Sequence, residues 1–169
     1  MNLASNPLNL DRLDYKIIAA LVKQGRISKV QLSEEVGLSA SPCWERMKRL
    51  EKQNIIRGYH ADVDLTKLVN ISFFQVEVTI NNYSMHVAKR FEVMVKRMPE
   101  VVECRAVLGG LDYMLTIAAT SVERYQDVIE HMMNNEEVNF DYQTYPVTKS
   151  VKLVNDISIL GLIDLIVDG

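Results

Sequence analysis

The sequence predicts an α+β protein in two parts, three short helices followed by two successive strand–helix–strand units. Two observations carry this. Apolar residues recur at three- and four-residue spacing up to about residue 57, then switch to strict alternation from residue 73. A Ser or Asp at a cap position opens each of five helical stripes: Asp11, Ser28, Ser39, Ser84 and Ser121.

The first helix starts at Asp11, with Asp14 in the first turn where the helix dipole favours negative charge. Leu13, Ile17, Ile18, Leu21 and Val22 make its apolar face, and Gly25 is expected to supply a left-handed stop. In the second helix Ser28 and Gln31 form an S-x-x-Q capping box, flanked by the staple pair Ile27 and Leu32. Leu32 and Val36 face inward and Gly37 ends it. The third helix has two candidate caps, Ser39 and Ser41. Ser39 is preferred, because Leu38 and Cys43 then form the staple and Pro42 falls in the tolerant first turn. Cys43, Met47 and Leu50 point at the core. Asn54 takes the left-handed position that lets Ile55 pack on Leu50.

Two helices joined by Gly37-Leu38-Ser39 and preceded by a third have the layout of a helix-turn-helix of winged type, or of a plain three-helix bundle. The outward face of the third helix favours the first. It carries Ser41, Trp44, Glu45, Lys48 and Lys52, with Arg46 and Arg49 on the flanks, a set suited to phosphates and base edges. Trp44 has a packing alternative against the second helix, and Arg46 an intramolecular salt bridge.

Beyond a strand-like connector at His60–Asp64, Phe74, Val76, Val78 and Ile80 alternate with Phe73, Gln75, Glu77 and Thr79. Ser84 caps a helix with Val87, Phe91, Met94, Val95 and Met98 inward, closed by Pro99, and a strand follows at Val101–Leu108. The pattern then repeats: a strand at Asp112–Ala119, a helix with Tyr125, Val128, Ile129 and Met132 inward, a strand at Val138–Val147. This describes a ferredoxin-like βαββαβ sandwich. Its uncovered sheet face would hold Phe73, Val101, Met114, Ala118, Tyr145 and Val147 among Gln75, Glu77 and Arg105. A face so apolar is expected to bury against a second copy about a two-fold axis. The domains expected are 1–57 for the helix-turn-helix, 58–70 for a connector, 71–155 for the sandwich, and 156–169 for a C-terminal extension.

The join Leu108-Gly109-Gly110-Leu111-Asp112-Tyr113 has two readings. Adjacent glycines suit a tight hairpin turn. They also expose backbone N–H groups to a carboxylate, beside an Asp112 able to meet an ammonium.

Charge and composition narrow the function. The net charge of −3 is uneven: residues 1–64 hold 10 Lys and Arg against 8 Asp and Glu, residues 65–169 hold 9 against 14. A mildly basic front on an acidic body is compatible with DNA. No stretch approaches the about 18–20 apolar residues of a membrane span, and MNLASNPLNLDRLD lacks the pattern of a signal peptide. Cys43 and Cys104 are expected to be buried free thiols, with neither metal nor cofactor. His60, His86 and His131 fall in no catalytic motif, so an enzyme is not expected. An architectural DNA protein, indifferent to metabolites, is the remaining rival.

The runs LDRLDYKIIAALVKQGRIS, LSEEVGLSASPCWERMKRLEKQNIIRGY and GGLDYML resemble the Lrp/AsnC family, the feast/famine regulators, over roughly residues 10–155. The resemblance implies a cytoplasmic, nucleoid-associated transcription regulator of double-stranded DNA. It would dimerise through the ferredoxin-like domain, often assemble to an octamer, and bind an amino acid between dimers. By the same resemblance DNA contacts fall to Ser39, Ala40, Ser41, Trp44, Glu45 and Lys48, with Arg46 and Arg49 close by. The effector pocket falls to Gly109, Gly110, Leu111, Asp112 and Tyr113, with Gln143 and Tyr145 from the last strand. Asn54 stands where the family usually has Gly, and the ending DISILGLIDLIVDG is more apolar than the family's, as if an extra helix or strand met a neighbouring subunit.

Overall fold

The computed structural model describes residues 9–61, 63–64 and 67–152. The extension expected at 156–169 lies outside the described residues. The chain divides into two compact units, of which the second is Val63–Ser150.

The first unit holds α1 (Arg12–Lys23), α2 (Lys29–Val36) and α3 (Ala40–Lys52). Asp11 caps α1 by accepting from the N–H groups of Leu13 and Asp14, and Asp14 returns the bond to the Asp11 N–H, closing a capping box. Ser28 and Gln31 do the same for α2. The left-handed stop expected at Gly25 is absent. Gln24 instead turns out of the helix at φ −145°, and the Ile27 N–H closes a turn on its carbonyl at 3.0 Å. That turn satisfies the helix end without a positive φ.

The other two stops are Schellman motifs. At Gly37 (φ 74°) the Leu38 N–H reaches the Ser33 carbonyl and the Gly37 N–H that of Glu34. At Asn54 (φ 56°) the Ile55 N–H reaches Leu50 and the Asn54 N–H reaches Glu51. Nothing lies within 4 Å of a Cβ built on Gly37, so Gly37→Ala meets only the backbone penalty. A loss of about 1–2 kcal/mol is expected, read as a lower melting temperature of the front unit. The three helices bury Ile17, Ala20, Leu32, Val36, Cys43, Met47 and Leu50, with Ile27, Leu38 and Ile55 packed at the edges.

No strand forms among the described residues of His60–Asp64. An extended segment without a pairing partner has no ladder to join, whatever its sequence pattern.

The second unit runs β1 (Ser72–Ile80), α4 (Met85–Lys96), β2 (Val101–Ala106), β3 (Tyr113–Ala119), α5 (Val122–Met133) and β4 (Phe140–Pro146). The strands form one antiparallel sheet in the order β2-β3-β1-β4, the ferredoxin-like arrangement. Ser84 and Ser121 cap the helices through the N–H groups of Val87 and Arg124. The core is aromatic at its centre. Phe74 stacks on Tyr125 at 4.1 Å, and Phe91 meets Tyr113 at 4.8 Å and Phe140 at 5.6 Å.

The open sheet face differs from expectation at one end. Val101 pairs with Ile117 and packs into the helix-side core, while Glu103 pairs with Thr116 and Arg105 with Met114. A β-bulge between Val101 and Glu103 breaks the alternation, so these two face opposite sides. The open face is thus more polar than the pattern implied. Thr116 accepts from Gln75 at 3.0 Å and donates to Glu103, while the Tyr145 hydroxyl donates to Glu77. Cys43 is buried as expected, but Cys104 is exposed, on β2 at the edge of the sheet where no further strand covers it.

Candidate DNA interface and effector site

The N-terminus of α3 is open for a reason found in its sequence. Ser39 is the cap by backbone geometry (φ −73°, ψ 158°), yet its hydroxyl makes no cap hydrogen bond. A cap serine bonds the N–H of the third helical residue, and here that residue is Pro42, which has none. Ser39, Ala40 and Ser41 are all exposed there, with two hydroxyls beside the free N–H end of the helix.

Farther along, Glu45 and Lys48 are exposed while Trp44 is half buried against the three-helix core. The indole face is the organising element. The Lys29 ammonium sits 3.4 Å from its centroid and the Lys48 ammonium 5.1 Å, so one ring holds two cations from two helices. Nothing in the α3 pattern singles out Lys29. Its signal was a lysine at the first position of α2, needing the tertiary turn of α2 against α3 to reach Trp44.

Arg46 and Arg49 are turned the other way. Arg46 bonds Asp11 at 2.6 Å and Asp14 at 2.9 Å, and Arg49 bonds Asp14 at 2.5 Å. Asp14 is fully buried, so its charge is compensated by these two guanidiniums and by the Asp11 N–H. The hydrogen bond from Arg46 holds the Asp11 carboxyl below its ordinary range, and Asp11 in turn raises Arg46. The alternative noted for Arg46 is the arrangement found: both arginines tie α3 to α1.

In the second unit the join between β2 and β3 is not a two-residue turn. The Val107 N–H bonds the Asp112 carbonyl, leaving four residues, Leu108–Leu111, in the loop. Of its two glycines only Gly109 has a positive φ, 151°, a region that side chains disfavour. A Cβ built on either glycine meets nothing within 4 Å, and Leu108 is fully exposed. Asp112 anchors the loop: its N–H bonds the Val78 carbonyl, and its carboxylate accepts from the Ile80 N–H at 2.7 Å. One carboxylate oxygen is thereby committed to the sheet.

The remaining candidates separate. Tyr113 points into the core, 3% exposed, with its hydroxyl on Glu92 at 3.2 Å; burial, then Glu92, pushes that phenol above its usual range. Gln143 and Tyr145 lie on the opposite, open face, paired with Glu77 and Gln75. Among the described residues no cluster could hold a metal and no helix is long and apolar enough to cross a membrane.

Comparisons with known proteins agree with both halves. A model of winged helix-turn-helix DNA-binding domains matches residues 10–57, and one of the Lrp/AsnC ligand binding domain matches residues 74–156. The chain is 41% identical over 145 residues to the transcriptional regulatory protein DoeX of Halomonas elongata, spanning 86% of this chain and 92% of that one. It is 38% identical over 148 residues to the leucine-responsive regulatory protein of Escherichia coli K12, spanning 87% and 90%. A transcriptional regulator of Neisseria meningitidis, solved as a complex with L-Met, superposes with a TM-score of 0.78 at 31% identity over 85% of this chain and 93% of that one. The chain belongs to the Lrp/AsnC family: it is a DNA-binding transcription regulator with a ligand-binding domain, and not an enzyme.

Proposed function

We propose that this regulator reads its operator as a homodimer, or as a larger assembly of dimers such as an octamer, and that its effector is an amino acid or a close metabolite. The observation that carries the DNA half is the exposed α3 face with Lys29 and Lys48 gathered on Trp44. In this reading Ser39, Ser41 and the two lysines take phosphates, while Ala40 and Glu45 meet base edges as thymine-methyl and cytosine-amino partners. Trp44 positions the lysines. Arg46 and Arg49 hold the helix and touch phosphates only from its flanks. Two copies of α3 would sit one turn of DNA apart, roughly 34–36 Å.

Dimerisation through the open sheet face would bury Phe73, Met114, Ala118, Tyr145 and Val147, with the Gln75–Thr116–Glu103 and Tyr145–Glu77 bonds as its polar interior. The N–H groups of Gly109 and Gly110 take the effector's carboxylate and the free oxygen of Asp112 its ammonium, beside Leu111. Gln143 and Tyr145 contribute from a second copy, and Tyr113 serves by holding the hairpin base to α4. The relatives named for leucine and solved with L-Met support an amino acid as the ligand class.

A thermal-shift screen against the common amino acids tests this. A ligand at about 100 times its Kd stabilises the native state by about 2.7 kcal/mol. Asp112→Asn keeps an acceptor for the Ile80 N–H while removing the charge, so it should fold normally, bind DNA normally and lose the shift. A full shift in Asp112→Asn places the ammonium site elsewhere. No shift from any amino acid, with operator affinity indifferent to metabolites, returns the architectural reading.

A further inference from the structure

The helix face of the second unit carries a cavity that neither the DNA contacts nor the β2–β3 loop uses. It lies between the outer sides of α4 and α5 and measures about 400 Å³, within the roughly 300–1,000 Å³ span of small-molecule sites. Helical spacing builds it. His86, Arg90, Val93 and Arg97 follow one another at i, i+4, i+7 and i+11 along α4, Lys89 stands beside them, and α5 supplies His131 opposite. Met94 and Met98 form an apolar floor.

The charge of this groove runs against that of its half of the chain. Residues 65–169 hold 9 Lys and Arg against 14 Asp and Glu, yet the cavity walls carry Lys89, Arg90, Arg97 and two histidines against one carboxylate, Glu137. Glu137 lies 3.5 Å from Arg90. Among the described residues no ion pair holds Lys89, Arg97, His86 or His131. Neighbouring Arg124 shows the contrast: Glu100 at 2.6 Å and Asp127 at 3.7 Å neutralise it. An acidic body that lines one groove with exposed cations, most of them without an ion-pair partner among the described residues, has a place for an anion.

We infer that this groove is a second ligand site, specific for a compact dianion with a short apolar part, either a phosphate ester or a dicarboxylate. The Arg97 fork offers two parallel N–H donors to one acidic group, and Lys89, about two helical turns away along α4, offers a point charge to the other. The methionine floor adapts to an apolar segment between them. The methionine floor between the two helices suits a small molecule with an apolar segment rather than a DNA backbone, which presents only phosphate and sugar to it.

Isothermal titration of the full chain with inorganic pyrophosphate and with succinate, at constant ionic strength, tests this directly. Saturable binding of at least one probe, about one per chain, is expected. Pyrophosphate alone assigns phosphate esters, and succinate alone assigns dicarboxylates. The double variant K89Q/R97Q replaces exposed side chains, so it should melt like the parent and bind the probe at least tenfold more weakly. Asp112→Asn should bind the probe unchanged, which separates this site from the amino-acid site. Absence of saturable binding, or equal binding by K89Q/R97Q, overturns the inference. So does a loss of operator affinity in K89Q/R97Q when the parent binds neither probe, since the groove would then be a DNA contact.

Discussion

Lys29→Ala and Lys48→Ala should each weaken operator binding on the order of 10–100-fold at about 0.1 M salt. Each removes one phosphate contact per protomer and two per dimer, and the slope of log K against log salt changes by about 0.9 per contact. The slope should therefore fall by about 2 in either variant, uniformly across operator sequences. Trp44→Leu makes a different prediction. It keeps an apolar side chain on the three-helix core and both cations, but removes the ring on which they rest. The salt slope should be nearly unchanged while affinity falls, because two flexible lysines must then be ordered by DNA itself, at up to about 2 kcal/mol of rotamer entropy each. Fluorescence anisotropy over a salt series separates the two signatures. Parental affinity in Trp44→Leu would mean that the ring organises nothing.

The second large effect is on folding. Asp14→Ala removes a fully buried carboxylate that accepts from Arg46, Arg49 and the Asp11 N–H together. A loss of about 3 kcal/mol is expected, a large part of the stability of a helical unit of some 50 residues. DNA binding should disappear at physiological temperature, while amino-acid binding by the second unit persists. Two unfolding transitions, only the first displaced, would be the calorimetric signature, and a single unshifted transition would refute it. The same cluster predicts acid sensitivity of the front unit. The Asp11 carboxyl is held below its ordinary value, chiefly by Arg46. Its contribution is therefore complete above the unfolded-state value of about 3.9 and is lost as pH falls through the lowered native one.

Where the sequence was legible, local rules operated. The Ser28–Gln31 capping box, the Asp11 cap, the stops at Gly37 and Asn54, and the buried stripes of α2 to α5 involve residues within one or two turns of each other, while of the α1 face Ile17 is buried and Ile18 and Leu21 pack at the edge. Alternation from Phe73 to Ile80 placed β1 with its inner face correct. Local rules failed at four points, two of them the His60–Asp64 connector, which forms no strand among its described residues, and Cys104, which is exposed. Gly25 was assigned a conformation that the turn from Gln24 to Ile27 made unnecessary. Val101 was assigned to the wrong face, since period-two reasoning assumes an unbroken ladder and a bulge exists only between two strands.

The candidate sites divide along the same line. The sequence by itself determined the element order, the two units, the solvent face of α3 and the glycine-rich loop, because each follows from periodicity, caps and turns along a few consecutive residues. Only the tertiary structure decided which charges are free. Arg46 and Arg49, which a linear reading can only place on the flanks of the α3 face, are bound to a carboxylate more than 30 positions away. Lys29 is brought from another helix onto Trp44, and Tyr113 is turned into the core while Tyr145 stays on the open face. Coulomb attraction, cation–π contact and sheet register act through space, so a helix can announce its face, but not which of its charges a distant partner has already taken.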